Sequence, residues 1–121
     1  MSGFLQMLER QKKRERQQTF DLGNQTKIGQ WLALEKCEQE ATALCKAVAL
    51  ALPQKETLVR QSVSMESYRK PSSKAHIRVK TQVSALSRKT LQIKVHCHEV
   101  DPKGRFNKLS KAVYHYQRER K

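Results

Sequence analysis

The sequence predicts an α+β fold, a long core helix packed on a small antiparallel sheet of about three strands, with a charged N-terminal helix and a C-terminal helix. Three observations carry this expectation. Two runs between residues 75 and 100 alternate apolar and polar side chains. An apolar stripe recurs every three or four residues between 28 and 52. The chain is strongly basic, with 25 Lys and Arg against 11 Asp and Glu and a net charge of +14.

The alternating runs come first because strict period two marks a half-buried strand. Ala75, Ile77, Val79, Val83 and Ala85 share one face, with only Thr81 interrupting, and His76, Arg78, Lys80, Gln82 and Ser84 share the other. Leu91, Ile93, Val95 and Cys97 then alternate with Gln92, Lys94, His96 and His98. Ser87 to Thr90 leave room for a short connection, so the pair reads as a hairpin with one apolar and one basic face.

Taken in order, residues 4–19 read as a helix. Ser2 is placed to cap it, and Phe4, Leu5 and Leu8 form a short apolar patch. From Glu9 to Gln18 there is no apolar residue, and Glu9 stands four residues before Lys13. Residues 1–20 are therefore expected to be a basic helical arm whose Lys12, Lys13, Arg14 and Arg16 fold onto a phosphate backbone, with residues 21–121 as a single α+β domain. The Phe4–Leu8 patch alternatively docks in another protein's groove.

Asp21 to Asn24 reads as a turn, and Thr26 has the placement of a helix N-cap. Ile28, Trp31, Leu32, Leu34, Cys37, Ala41, Leu44, Cys45, Val48 and Leu52 then form the stripe of a long helix that Pro53 stops. Its Ala-rich end, from Ala47 to Leu52, reads as buried on more than one side. Glu35, Glu38 and Glu40 make it the acidic part of the chain. The helix packs over the hairpin's apolar face. Alternatively Leu34, Cys37, Ala41, Leu44 and Val48 are the seam of a homodimer through the 28–52 helix.

Residues 57–69 read as a strand of imperfect alternation, because Gln61 falls in phase with Val59 and Val63. Pro71 marks the following loop. Asp101-Pro102-Lys103-Gly104 has the residues of a type I turn. Phe106, Leu109, Val113 and Tyr116 are spaced as on a helix face, with a strand through 112–117 as the competing reading. The end of the chain, from Arg118 to Lys121, reads as a frayed basic tail.

Charge and cysteine usage bound the function. Cys37, Cys45 and Cys97 contain no CxxC pair and are an odd number, which points to a reducing compartment and buried thiols. No window approaches the roughly 18 apolar residues of a membrane span, and the N-terminus lacks a signal-peptide layout. The expected location is the cytoplasm, or the nucleus in a eukaryote, with no membrane partner.

His96, His98 and Asp101, joined by His76, have the look of a metal cluster. Arg78, Lys80 and Lys94 beside them oppose a divalent cation, so no metal and no cofactor is expected. The four glycines form neither a P-loop nor a dinucleotide-binding pattern.

Alternate basic residues on paired strands, about 7 Å apart along each strand, instead suit a phosphate backbone. The expectation is a non-enzymatic nucleic-acid-binding accessory or regulatory protein, its partner RNA or DNA. The binding residues would be Arg60, Arg69, Lys70, Lys74, His76, Arg78, Lys80, Arg88, Lys89, Lys94, His96 and His98, with Tyr68, Tyr114 and Tyr116 stacking on bases. A protein-interaction adaptor is the alternative. A small basic nuclease using His76, Arg78, His96, His98 and His115 is the lesser one.

Overall fold

A computed structural model describes residues 2–21, 26–51, 57–69 and 76–119, with side chains described for 6–21, 33–51, 58–69 and 76–118. The chain runs α1 (Ser2–Lys12), β1 (Glu15–Asp21), α2 (Thr26–Ala51), β2 (Thr57–Ser67), β3 (His76–Leu86), β4 (Thr90–Val100) and β5 (Phe106–Glu119). The five strands form one antiparallel sheet in the order β1-β3-β4-β5-β2, and α2 lies on one face of it.

The hairpin of β3 and β4 is the middle of that sheet. Ile77, Val79, Val83, Leu91, Ile93, Val95 and Cys97 are buried on the inner face, as their alternation requires. Leu86 pairs with Leu91, and Ser87 closes the turn by donating its N–H to the Thr90 carbonyl at 2.9 Å. A bulge between Val83 and Ala85 shifts the phase, so Leu86 is buried and Ala85 is exposed, against the expected placement of Ala85.

Over this face α2 lays Ala33, Cys37, Ala41, Leu44 and Val48, spaced three, four and seven apart on one stripe. Leu44 and Val48 are fully buried, and each such side chain contributes roughly 1.5–3 kcal/mol relative to exposure. Small residues at 33, 37 and 41 let the helix axis approach the sheet closely. The Cys37 and Cys97 thiols hydrogen-bond across this contact, and that bond together with burial pushes the Cys37 pKa far up.

The expected architecture is corrected in four respects. The sheet has five strands, not about three. The charged N-terminal helix ends at Lys12, and Glu15–Asp21 pairs with β3 as edge strand β1. The C-terminal segment is the 14-residue strand β5, not a helix. Its inner face carries Leu109, Ala112, Tyr114 and Tyr116, and a register shift opposite Cys97/His98 breaks the alternation between Leu109 and Ala112. That shift is what imitates helical spacing. Finally, Cys37, Ala41, Leu44 and Val48 are consumed by the chain's own sheet, so the 28–52 helix offers no homodimer seam there.

Smaller corrections follow the same logic. In β2 the register shift lies between Arg60 and Ser62, which makes Gln61 the extra residue and explains its misplaced phase. The Ala-rich end of α2 is not buried on several sides, since Leu50 is 87% exposed. The Asp101 turn forms as its residues require: Gly104 at φ +81° donates to the Asp101 carbonyl at 2.8 Å. The expected frayed tail from Arg118 is corrected at its start, since Arg118 and Glu119 belong to β5 and pair with Leu58 and Thr57. Several expectations lie outside the described residues: the turn after Asp21, the Pro71 loop, residues 120–121, and the side chains of Ser2, Phe4, Leu5, Thr26, Ile28, Trp31 and Leu32. Among the described residues, no helix is long and apolar enough to cross a membrane.

Candidate functional site

The flank of α2 that faces β2 and β5 brings together a carboxylate, a guanidinium and two phenols. Glu38 comes from one helical step beyond the buried Cys37, on the side where the helix emerges from the sheet. The bulge at Gln61 leaves Arg60 on the inner face opposite Tyr116, and its guanidinium Nη1 donates to Glu38 Oε1. That bond and the opposite charge raise the Arg60 pKa further. Tyr114 and Tyr116 are buried on the inner face of β5, the latter opposite Arg60. Burial pushes Tyr114 up to about 12 and Tyr116 higher still, so both phenols are neutral donors at ordinary pH.

Beside this cluster the outward face of α2 carries an open hollow of about 430 Å³ lined by Glu35, Glu38, Gln39, Thr42, Ala43 and Lys46. On the other side stand Val63 and Met65, inner-face residues of β2 that are 40% and 41% exposed. The hollow is lined by α2 alone, and Glu38 is the residue it shares with the Arg60 pair. Carboxylate and guanidinium together can polarise a water and stabilise an oxyanion.

Among the described residues β2 pairs only with β5, and every residue from Gln61 to Arg69 is exposed. A long edge with apolar Val63 and Met65 is a template for a further strand.

A second polar cluster lies under the opposite flank of α2. Arg16 on β1 pairs in register with Thr81 on β3, and Arg16 Nη2 donates to Glu40 Oε2 at 3.0 Å. Glu40 is buried, as is Thr81. Arg16 Nε, Glu40 Oε1 and Thr81 Oγ1 are buried without a hydrogen-bond partner among the described residues.

The residues expected to bind nucleic acid are divided by the fold. His76, Arg78, Lys80, Lys94, His96 and His98 are gathered on the outer face of the sheet. Arg60 and Arg16 point instead to the inner face, where α2 supplies Glu38 and Glu40. Arg69 stands 3.9 Å from the buried Glu99. Arg88 and Lys89 sit in the β3–β4 turn. Lys12 ends α1 and Lys13 and Arg14 follow it, with Lys12 bonded to Glu9 at 3.1 Å and Arg14 to Gln11. Lys70 and Lys74 lie outside the described residues. Of the aromatic candidates Tyr114 and Tyr116 are buried, and only Tyr68 is exposed.

His96 and His98 stack with ring centroids 6.4 Å apart. Burial, with the surrounding cations, lowers both pKa values. Asp101 is not turned to them: backbone and side-chain hydrogen bonds from Arg105 hold its carboxyl below the usual range. Among the described residues, no three His, Cys, Asp or Glu side chains are grouped to hold a metal.

Sequence reasoning missed Glu38 and Arg60 as a pair, because only the bulge turns Arg60 inward. The signal in the chain was the out-of-phase Gln61.

No protein-family model and no curated protein matches the chain. Solved structures do. A mutant hypothetical thioesterase from Streptococcus pneumoniae aligns with TM-score 0.69 at 11% identity, over 92% of this chain and 87% of that one. A hot-dog-like protein from Thermanaerovibrio acidaminovorans gives TM-score 0.69 at 9% identity, over 96% and 87%. A protein from Streptococcus mutans bound to acetyl CoA gives TM-score 0.64 at 13% identity, over 91% and 85%. The chain shares the fold of these proteins. That fold overturns the expectation of a non-enzymatic nucleic-acid-binding regulator with nucleic acid as partner. Residues 15–20 of the expected phosphate-binding arm are part of edge strand β1, and the expected three-stranded platform is part of a five-stranded sheet with Glu38 and Arg60 on its inner side.

Proposed function

We propose that this chain binds an acyl thioester between α2 and β2 and hydrolyses it. The observation that carries the reading is the Glu38–Arg60 pair, with Val63 and Met65 exposed on the inner face of the same strand β2, in a fold shared with proteins described as thioesterases and one bound to acetyl CoA. The acyl chain lies along Val63 and Met65. Glu38 takes a proton from water, and the hydroxide attacks the thioester carbonyl carbon. Arg60 stabilises the oxyanion, the C–S bond breaks, and the thiolate leaves with the proton that Glu38 took. A second copy adding its β2 antiparallel to this one would cover the exposed Val63 and Met65.

The test is thiol release from a series of acyl-CoA thioesters of increasing chain length. The wild type is expected to turn over at least one of them. Glu38→Gln, which keeps the shape and loses the base, should lower kcat about 100-fold or more with little change in KM. Thiol release unchanged by Glu38→Gln, or no release from any thioester of the series, refutes the reading.

A further inference from the structure

The face of the sheet turned away from α2 carries a second and different chemistry. Two rows of side chains cross its three central strands in register: Lys80, His96 and Lys111, then Arg78, His98 and Lys108. Lys94 stands next along β4. The described carboxylates on this face, Glu15, Asp21 and Glu66, lie on the two edge strands. Lys80 reaches Glu15 at 3.9 Å, while Lys94, Lys108 and Lys111 make no ion pair with a described carboxylate. At one end of the same face Phe106 and Tyr68 are each 49% exposed. Arg78 stacks over the Phe106 ring at 4.5 Å, and His98 meets its edge at 6.3 Å.

Neighbouring strands lie about 4.8 Å apart, so the five cations form one compact patch across β3, β4 and β5. A broad anionic surface meets them together, whereas a small anion reaches only some of them. A second copy of the same face would set cation against cation. Aromatic rings at the margin of a basic surface suit the interfacial layer of a bilayer, where a ring is half buried.

We propose that this face docks on an anionic phospholipid surface. Arg78, Lys80, Lys94, Lys108 and Lys111 meet the headgroup phosphates, and Phe106 and Tyr68 enter the interface at one end. The site is independent of the Glu38–Arg60 pair. His96 and His98 add to the contact when protonated. The charged groups that face them are Arg78 and Lys80 from β3, Lys94 from β4, and Lys108 and Lys111 from β5. All of these are cations; burial and their repulsion lower both imidazole pKa values, and an anionic surface relieves the repulsion.

The experiment is sedimentation of the full chain with phosphatidylserine–phosphatidylcholine vesicles and, in parallel, with pure phosphatidylcholine vesicles. Binding is expected only to the anionic vesicles. It should tighten as pH falls from about 7.5 to about 5.5, and this increase should disappear in His96→Gln/His98→Gln. Each lysine near the surface is worth about fivefold in affinity, so Lys94→Gln/Lys108→Gln/Lys111→Gln should weaken binding about 100-fold. Circular dichroism checks that the triple variant is folded, and Lys94→Gln alone, about fivefold weaker, serves if it is not. Equal binding to both vesicle types, or to neither, overturns the proposal. Capture by polyglutamate without capture by anionic vesicles also overturns it and assigns the face to an acidic protein.

Discussion

Thr81 is the residue that interrupts an otherwise apolar face, and replacing it tests how the core is built. It lies at the middle of β3, fully buried between Val79 and Val83 on the inner face, with Arg16 and Val95 as its cross-strand neighbours. Its Oγ1 has no hydrogen-bond partner among the described residues. A buried hydroxyl left unpaired costs about 1–3 kcal/mol. Valine keeps the branched shape and the strand preference, and exchanges that hydroxyl for a methyl worth about 0.8 kcal/mol on burial. Thr81→Val is therefore expected to stabilise the fold by about 1–2 kcal/mol, a large fraction of the roughly 5–15 kcal/mol typical of a domain. Urea unfolding followed by circular dichroism reads it as a higher midpoint at an unchanged slope. Thr81→Ser is the control: it keeps the hydroxyl, loses the methyl, and should be less stable than the wild type by about 1 kcal/mol. The reasoning is refuted if Thr81→Val lowers stability by about 1 kcal/mol. The hydroxyl would then be bonded in solution, through a bridging water among Arg16 Nε, Glu40 Oε1 and Thr81.

Two further outcomes follow from the packing and the charges. Leu44→Ala removes the largest fully buried side chain on α2 and should cost about 3 kcal/mol by urea unfolding; a cost below about 1 kcal/mol would mean that α2 is not seated on the sheet. His96 and His98 have folded pKa values below their ordinary one, so the unfolded chain binds protons more readily. The stability they leave intact is present above the unfolded value, near pH 6.5, and is lost as pH falls through the lower folded values. Thermal unfolding should therefore show a falling Tm over that window, flattened in His96→Gln/His98→Gln, and a Tm equally steep in the double variant would exclude the pair as the source.

The same two histidines illustrate what a chain shows on its face and what it hides. Their alternation with Val95 and Cys97 sufficed to place them on the polar side of a strand, because side-chain direction in a strand alternates whatever the rest of the fold does. The stripe from Cys37 to Val48 likewise announced a helix with one buried side, since a repeat of three and four residues is a property of the helix alone.

Where a strand carries a bulge, that local rule fails. Gln61 and the register shift opposite Cys97/His98 displace the pattern by one residue, which blurred β2 and made β5 imitate a helix. β1 escaped notice for another reason. Of its seven residues only Arg16 and Phe20 are half-buried, and its place in the sheet comes from pairing with β3, not from an apolar face of its own.

Composition, hairpin and core stripe were thus determined by the sequence itself: a basic chain, a two-faced strand pair and a long helix with one apolar side. Tertiary structure alone decided which basic residues join the hairpin's basic face and which leave it. Strand order sets Arg78, Lys80, Lys94, Lys108 and Lys111 together on the outer face, and one extra residue turns Arg60 inward to Glu38. The physical reason is range. Periodicity is written in neighbours three or four positions apart, whereas Arg60 and Glu38 are 22 residues apart and meet only when β2 has found β5.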